Sequence, residues 1–449
     1  MRIAVAGATG FVGRALVPAL LGEGHEPVAL ARHPSPIPGA TSHEVDIGDE
    51  DGVRLALRGC TAAYYLVHSL ERGDFRSRDR QLAETFGRAA AAMGVTRIIY
   101  VGGLGQQPES EHLISRQETG RILGMAGVPV VELRAAVVLG TGSISFEMLR
   151  YLTERLPVMV CPRWVRTRIQ PVALPDMVSY LLEALDVAPG VYEVGGADVT
   201  TYRDMISTFA SARGLRPRHI INVPYLTPHL SSYWVDLVTP VDRRVSHALI
   251  QSLGTEVVVE DAVRTEAAFD VRPMGVRAAI THALEDQTAD VELDLLDRGS
   301  GLVDGVYSAR VVLPNSTDEA DAIDADLDRI GGSYEWYGLT FAWRLRRALG
   351  SIVGERWRLR RAPAIRAGEQ VDWWTVVRRR QRELVLRGVG WLVGDAWLGW
   401  RCDDASLVQV GAFRPKGIPG LLYWKLLQPI HRHVFVALAR HRRERVTKD

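Results

Sequence analysis

Short apolar runs alternate with amphipathic stretches over roughly the first two-thirds of the chain. "RIAVAGA", "EPVALAR", "TSHEVDI", "AAYYLVH", "TRIIYVGG" and "VPVVELRAA" are separated by segments such as "GRALVPALLGEG" and "RDRQLAETFGRAAAAMG", whose apolar positions recur with helical spacing. A run that is apolar at nearly every position is a strand buried on both faces. Strand–helix alternation of that kind predicts a doubly wound parallel sheet with helices on each side, an α/β fold. The later pattern differs. "DGVYSARVVLP" predicts a strand, and "STDEADAIDADLDRIGG" predicts a helix capped by Ser316 ahead of an acidic first turn. Consecutive strands follow at "ERWRLRRAP", "EQVDWWTVVRR", "ELVLRG", "AWLGWRC" and "SLVQVGAFRP". From about Gly420 the spacing of Leu422, Leu426, Ile430, Val434 and Leu438 predicts a long helix with its apolar stripe packed on that sheet. The second part therefore reads as α+β.

Composition supports the division. Of eleven tryptophans only Trp164 and Trp234 precede residue 334, and the other nine lie between Trp336 and Trp424. The most polar join is "LEDQTADVELDLLDRGSG", which puts the boundary near residue 290 and gives domains of residues 1–290 and 291–449. At 449 residues the chain is too long for one ordinary core. A formal net charge of +1 argues against a general nucleic-acid binder. Cys60, Cys161 and Cys402 are far apart, with no spacing for zinc or a disulfide framework, and point to a reducing cytoplasm. No apolar run approaches the ~20 residues needed to cross a bilayer, and "MRIAVAG" enters a strand without the pattern of a signal peptide. The expectation is a cytoplasmic protein without membrane contact.

The candidate chemistry begins at "IAVAGATGFVGRALVPALL". Gly7, Gly10 and Gly13 sit directly after a strand and at the opening of a helix. That arrangement supplies a tight turn, close backbone approach to a pyrophosphate, and helix N–H groups facing an anion. Arg32 ends the second strand about 20 residues later, where an acid often meets a ribose hydroxyl; an arginine suits the 2′-phosphate of NADP, with NAD left open. Arg14 can assist. Asp46, read as ending the third strand, either accepts from the adenine amino group or caps the next helix.

With "GATGFVG", "ALAR", "VD" and "YYLVHSL" in place, residues 1 to about 285 resemble atypical extended short-chain dehydrogenase/reductases, relatives of nucleotide-sugar epimerases and of the regulator of nitrogen-metabolite repression. The resemblance implies that the backbone through Gly7, Thr9, Gly10, Phe11, Val12 and Gly13 cradles the dinucleotide. It also implies that Leu66, Val67 and Gly102 border the dinucleotide at the strand ends. "IGGSYEWYG", "VDWWTV" and "GIPGLLYWKLLQPIHRHVF" look like an uncharacterised domain family fused behind such reductases, similar to the START and polyketide-cyclase helix-grip group, which encloses apolar ligands.

Active members of the reductase family carry a serine after the strand equivalent to "RIIYVGG", then a tyrosine four residues before a lysine. In this chain the serine position falls at Gly103, and His112 and Arg116 stand where tyrosine and lysine would. His112 is a proton donor or acceptor near neutral pH and Arg116 a fixed charge, so the pair is either a relocated proton-transfer set or an ordinary helix surface. Tyr64, Tyr65, His68, Ser69 and Ser115 are reserve candidates. Arg163, Arg166 and Arg168 around Trp164 either grip an acidic group or form a solvated ribbon, and Asp176 reads as a helix cap. The expected function is an NADP-dependent reductase of an apolar carbonyl or quinone-like molecule, with an apolar ligand conceivable in either domain. The competing expectation is a non-catalytic dinucleotide sensor or scaffold.

Overall fold

The first apolar runs fold as a seven-stranded parallel sheet. A computed structural model describes residues 1–33, 37–69, 74–105, 110–223, 252–303, 305–330, 364–390 and 393–427, with positions 249, 436, 438 and 439 besides. Contacts group the chain into two units, Met1–Glu285 and Asp286–Asp449.

The first unit opens with β1 (Arg2–Ala6), α1 (Phe11–Gly22), β2 (Glu26–Ala31), β3 (Thr41–Glu44), α2 (Glu50–Ala56), β4 (Ala62–Tyr65), α3 (Phe75–Ala92), β5 (Arg97–Gly103), α4 (Glu111–Met125) and β6 (Val130–Ala135). A smaller lobe follows, with β7 (Val138–Leu139), α5 (Ile144–Arg155), β8 (Val158–Cys161), β9 (Arg168–Ile169) and β10 (Val172–Ala173). Then come α6 (Leu174–Glu183), β11 (Gly190–Val194), β12 (Thr200–Thr201), α7 (Tyr202–Ala212), β13 (His219–Asn222), α8 (Ala262–Ala268) and α9 (Val276–Asp294).

The main sheet runs β11-β6-β5-β4-β1-β2-β3. Alternate residues serve opposite cores. Ile3, Val5 and Ile99 pack with Leu16 and Leu20 of α1 and Leu181 of α6. Ala4, Ala6 and Ile98 pack with Val53 of α2, Phe86 of α3 and Leu123 of α4. This is why the strands carry no polar face. The chain leaves β1 toward β2 on one side and returns to β4 on the other, which opens a crevice at the carboxyl ends of β1 and β4, where ligands of such sheets bind. The third strand is shorter than its apolar run: it ends at Glu44, and Asp46 lies in the loop beyond it. In the smaller lobe Leu139, Phe146, Met159, Phe209 and Ile280 form a separate core.

The second unit contains β14 (Gly301–Val303), β15 (Val306–Pro314), α10 (Thr317–Leu327), β16 (Gln370–Val371), β17 (Trp374–Arg380), β18 (Glu383–Gly390), β19 (Gly394–Cys402) and β20 (Ser406–Pro415). Its sheet is antiparallel throughout, in the order β14-β15-β20-β19-β18-β17-β16. Ser316 caps α10 as expected, in a reciprocal box with Glu319 (2.9 and 3.4 Å). One sheet face packs on Ile323 and Leu327 of α10 through Trp374, Leu386 and Trp400. The other packs on Leu295 and Leu296 through Val385, Trp397 and Val410.

"EQVDWWTVVRR" is a hairpin rather than one strand. Asp372 turns the chain with φ +54°, a conformation that short polar Asp tolerates, so Val371 pairs with Trp374. Residues 417–427 are helical, but Leu422 and Leu426 point outward, 53% and 74% exposed. Trp424 is the inward residue there, stacked on Phe413 and Tyr307. Ile430 and Val434, the strand expected at "ERWRLRRAP", Trp391 and the arginine run Arg358–Arg361 lie outside the described residues. Within the run Arg378–Arg380, Arg379 pairs with Asp324 and Asp328 at 2.7 and 3.0 Å, tying β17 to α10.

Candidate functional site

The turn after β1 is built for close approach. Gly7 has φ +86°, its N–H donates to Leu30 O (3.1 Å), and Gly10 N–H donates to Gly7 O (2.9 Å). A Cβ at Gly7 would stand 2.9 Å from Leu66 O. One at Gly13 would overlap Gly7 O and come within 2.8 Å of Ala8 Cα. Only glycine lets α1 start this tightly against the strand end. Gly10 is the N-cap of α1, with no side chain bonding the first-turn N–H groups and no acid in that turn. Backbone donors of Phe11, Val12 and Gly13 are thus presented for an anion.

Around this turn lies a cleft of roughly 330 Å³ lined by Gly7, Thr9, Gly10, Arg32, Asp46, Leu66, Val67, His68, Ser69 and Arg78, among others. Seven of the residues singled out as dinucleotide contacts share it. The side chains of Phe11, Val12 and Arg14 go elsewhere: Phe11 lies against Gly140, Val12 packs on the sheet core, and Arg14 leans over Gly142. Asp46 does not cap α2, whose N-cap is Asp49. It accepts from Gly48 N–H (2.8 Å) and stands 3.6 Å from Arg78. Arg78 was not picked out from sequence. It lies within "FRSRDRQ" on α3, and only the sheet order brings it to the cleft beside Asp46.

At the ends of β5 and β6 the geometry is dense. Gly102 does not line the cleft: a Cβ there would collide with the Glu132 carboxylate, as would one at Gly120. Glu132 is buried between the two glycines and pairs with Arg134 at 2.9 Å; burial raises its pKa, against the pull of Arg134. A Cβ at Gly103 would meet Leu113 Cδ2 at 3.0 Å and Arg116 Cβ at 3.2 Å, a tight but less closed position. Arg116 donates to Val101 O, and its own carbonyl accepts from Tyr100 OH (2.8 Å). Its guanidinium also covers the Tyr100 ring, 5.5 Å from the centroid.

His112 Nδ1 lies 3.3 Å from Ser252 Oγ, which contacts Ser110 Oγ at 2.9 Å. Burial, then the charges of Arg116 and His68, push the His112 pKa down to about 3. The imidazole is therefore neutral at physiological pH, a hydrogen-bonding group rather than the near-neutral titrating acid expected from its residue type. Of the reserve candidates, Tyr64 donates to Leu181 O (2.8 Å) in the core, Tyr65 packs against Phe86, and Ser115 donates to buried Asp79 (3.2 Å). His68 and Ser69 remain on the cleft wall.

Beyond His112 lies a cavity of roughly 210 Å³ in the smaller lobe. Met148, Leu149 and Leu152 of α5, Met159, Cys161, Trp164, Val165 and Val257 line it, with His112, Ser145, Tyr202 and Ser252 as its polar members. The spacing of Ser145, Met148, Leu149 and Leu152 is a helical face and was a legible signal. His112 lines this cavity, His68 lines the dinucleotide cleft, and the two rings with Arg116 are near enough to act electrostatically on one another. Trp164 is thus a cavity wall. Arg166 is exposed, and Arg168 pairs with Glu256 at 2.9 Å in solvent. Asp176 does not cap α6, whose N-cap is Ala173; it accepts from Met274 N–H at 2.7 Å.

Residues 7–127 match the family described as NAD(P)H-binding, and residues 306–438 match a family described as a protein of unknown function, DUF2867. Over 228 residues the chain is 28% identical to uncharacterised proteins of Mycobacterium tuberculosis and Mycobacterium bovis, an overlap of 50% of this chain and 25% of each relative. The chain thus spans about a quarter of the length of the curated relatives it matches. It is similar in structure to a nucleoside-diphosphate-sugar epimerase from Staphylococcus aureus, with 14% identity, 63% of this chain and 100% of that one covered, and a TM-score of 0.52. The UDP-glucose 4-epimerase of Thermotoga maritima with UDP-glucose gives 16%, 65%, 100% and 0.51. The Bordetella bronchiseptica enzyme WbmG in complex with NAD and UDP gives 18%, 64%, 94% and 0.51. At such identities the likeness shows the fold alone, a Rossmann-type parallel α/β unit. The matched family and this fold support a nicotinamide dinucleotide as the cofactor.

Proposed function

We propose that the protein is an NADPH-dependent oxidoreductase of the atypical short-chain dehydrogenase/reductase type, acting in the cytoplasm on an uncharged apolar carbonyl or quinone-like substrate. The observation that carries this is the apolar cavity lined by His112, whose ring feels the charges of Arg116 and of His68 on the wall of the dinucleotide cleft. The turn Gly7–Gly13 and the open first turn of α1 hold the pyrophosphate, and Leu66 and Val67 border the nucleotide. Arg32, with Arg78 across Asp46, meets the adenosine end, where two arginines favour a 2′-phosphate. When bound, the dinucleotide exchanges a hydride with the substrate carbon.

The chain's own part is orientation and the substrate oxygen. With Ser252 Oγ–H donating to His112 Nδ1, the ring proton sits on Nε2, a neutral donor that polarises a carbonyl oxygen; as that proton passes to the oxygen, Nδ1 takes the Ser252 hydroxyl proton, Ser252 takes one from Ser110, and solvent restores the last. Arg116, anchored to Val101 O, adds a fixed positive charge beside it. Residues 1–290 carry this machinery, and residues 291–449 form a helix-grip-like module for a second apolar ligand.

NADPH oxidation across a panel of aldehydes, ketones and quinones tests the reading. Turnover that falls by about 10²–10⁴-fold in His112→Ala supports it. Tight NADPH binding without turnover on any of them would instead favour the non-catalytic dinucleotide sensor, the reading that the missing serine at Gly103 and the replacement of tyrosine and lysine by His112 and Arg116 support.

A further inference from the structure

One polar group in the apolar cavity has no part in the chemistry above. Tyr202 opens α7 and presents its ring edge-on to Trp164, with centroids 6.1 Å apart and planes at 86°. Tyr64, Tyr100 and Tyr192 of this unit each donate to a carbonyl at 2.8 Å, that of Leu181, Arg116 and Ala188 respectively. The Tyr202 hydroxyl has no hydrogen-bond partner among the described residues, and its ring lines the cavity. Burial alone raises its pKa, so the hydroxyl keeps its proton. A protonated phenol beside open apolar space is a donor waiting for an acceptor.

Size and charge narrow what that acceptor belongs to. A dry apolar cavity of about 150 Å³ holds benzene, so roughly 210 Å³ holds one ring with a small substituent. No arginine or lysine lines it among the described residues, which leaves a diphosphate without the cations it needs.

We infer that this cavity binds an uncharged molecule of monocyclic size bearing a hydrogen-bond acceptor, and that the Tyr202 hydroxyl donates to that acceptor and sets the specificity of the site. This deepens the proposed substrate site and rests on it for location only. Tyr202 is a positioning and specificity residue, separate from the proton exchange at His112.

The test uses the full chain and two probes of one shape, acetophenone and α-methylstyrene, which replaces the carbonyl oxygen by a methylene. Ligand-observed NMR titration is expected to show acetophenone bound roughly 3–10-fold more tightly, the worth of one net hydrogen bond. Tyr202→Phe should bring the ratio to about one without changing α-methylstyrene affinity, which also reports that the cavity is intact. Ala136→Leu, which fills the cavity, should weaken both. A preference that survives Tyr202→Phe overturns the assignment, as does failure of both probes to bind the unaltered protein. NADPH titration of the same samples is read separately: acetophenone binding without NADPH binding sinks the reductase reading and keeps this one, and the reverse outcome does the opposite.

Discussion

Adding a single methyl group at Gly102 tests how the end of β5 is constructed. The Cβ of Gly102→Ala would overlap Glu132 Oε1 and stand 3.2 Å from its Cδ and Cγ. The carboxylate has little room to retreat, because it already fills the space that a Cβ at Gly120 would occupy, and Arg134 holds it at 2.9 Å. Overpacking a site of this kind costs about 1–3 kcal/mol. Partial loss of the buried pair adds to that, so we expect about 2–4 kcal/mol for Gly102→Ala. In a Glu132→Ala background the same methyl group enters vacated space. The cost of Gly102→Ala should there fall below about 1 kcal/mol, a coupling of roughly 1–3 kcal/mol. Hydrogen exchange of the β5 and β6 amides, read by mass spectrometry, gives the local opening free energy without treating the two-unit chain as one transition. Gly103→Ser, whose Cβ would meet Leu113 Cδ2 at 3.0 Å and Arg116 Cβ at 3.2 Å rather than overlap a pinned carboxylate, should cost less than Gly102→Ala. Additive effects of Gly102→Ala and Glu132→Ala, or a neutral Gly102→Ala, would refute the packing described.

Three further outcomes follow from particular contacts. Arg32→Ala should weaken NADPH about tenfold by calorimetry, close to 1.4 kcal/mol, and leave NADH nearly unchanged; equal losses for both would remove the 2′-phosphate assignment. His112 has a folded pKa of about 3 against an ordinary 6.5, so the unfolded chain takes up a proton first as pH falls. Its contribution is fully present above pH 6.5 and is lost toward pH 3, with a slope of at most about 1.4 kcal/mol per pH unit. His112→Gln should flatten that limb in acid unfolding titrations, and an unchanged limb would contradict the burial argument. Ser316→Ala removes one half of the capping box of α10 and should speed exchange of the first-turn amides by an amount equal to about 1 kcal/mol, whereas no change would mean the cap carries no stability.

The elements legible in the sequence were those decided locally. β1 and β5 were readable because burial on both faces leaves no polar position, and the Gly7–Gly13 turn because no other residue fits it. Ser316 announced α10 through chemistry contained within four residues. What escaped was set by distant partners. Arg78 meets Asp46 only because α3 packs beside α2, next to the loop that follows β3, and Glu132 fills the space over Gly102 only because β5 and β6 are neighbours. The outward turn of Leu422 and Leu426 reflects an aromatic stack, Trp424 on Phe413, that outweighs a regular aliphatic repeat. The apolar cavity was half legible: α5 shows its amphipathic face, while β8, α7 and Val257 reach the same space from far along the chain.

The central claim is that the cleft beside Gly7, Arg32 and Asp46 holds a nicotinamide dinucleotide. Calorimetric titration of the full chain with NADPH tests it most directly. One nucleotide per chain, displaced by NADP⁺ and weakened by Arg32→Ala, is the predicted result; absence of binding at millimolar NADPH and NADH would contradict it.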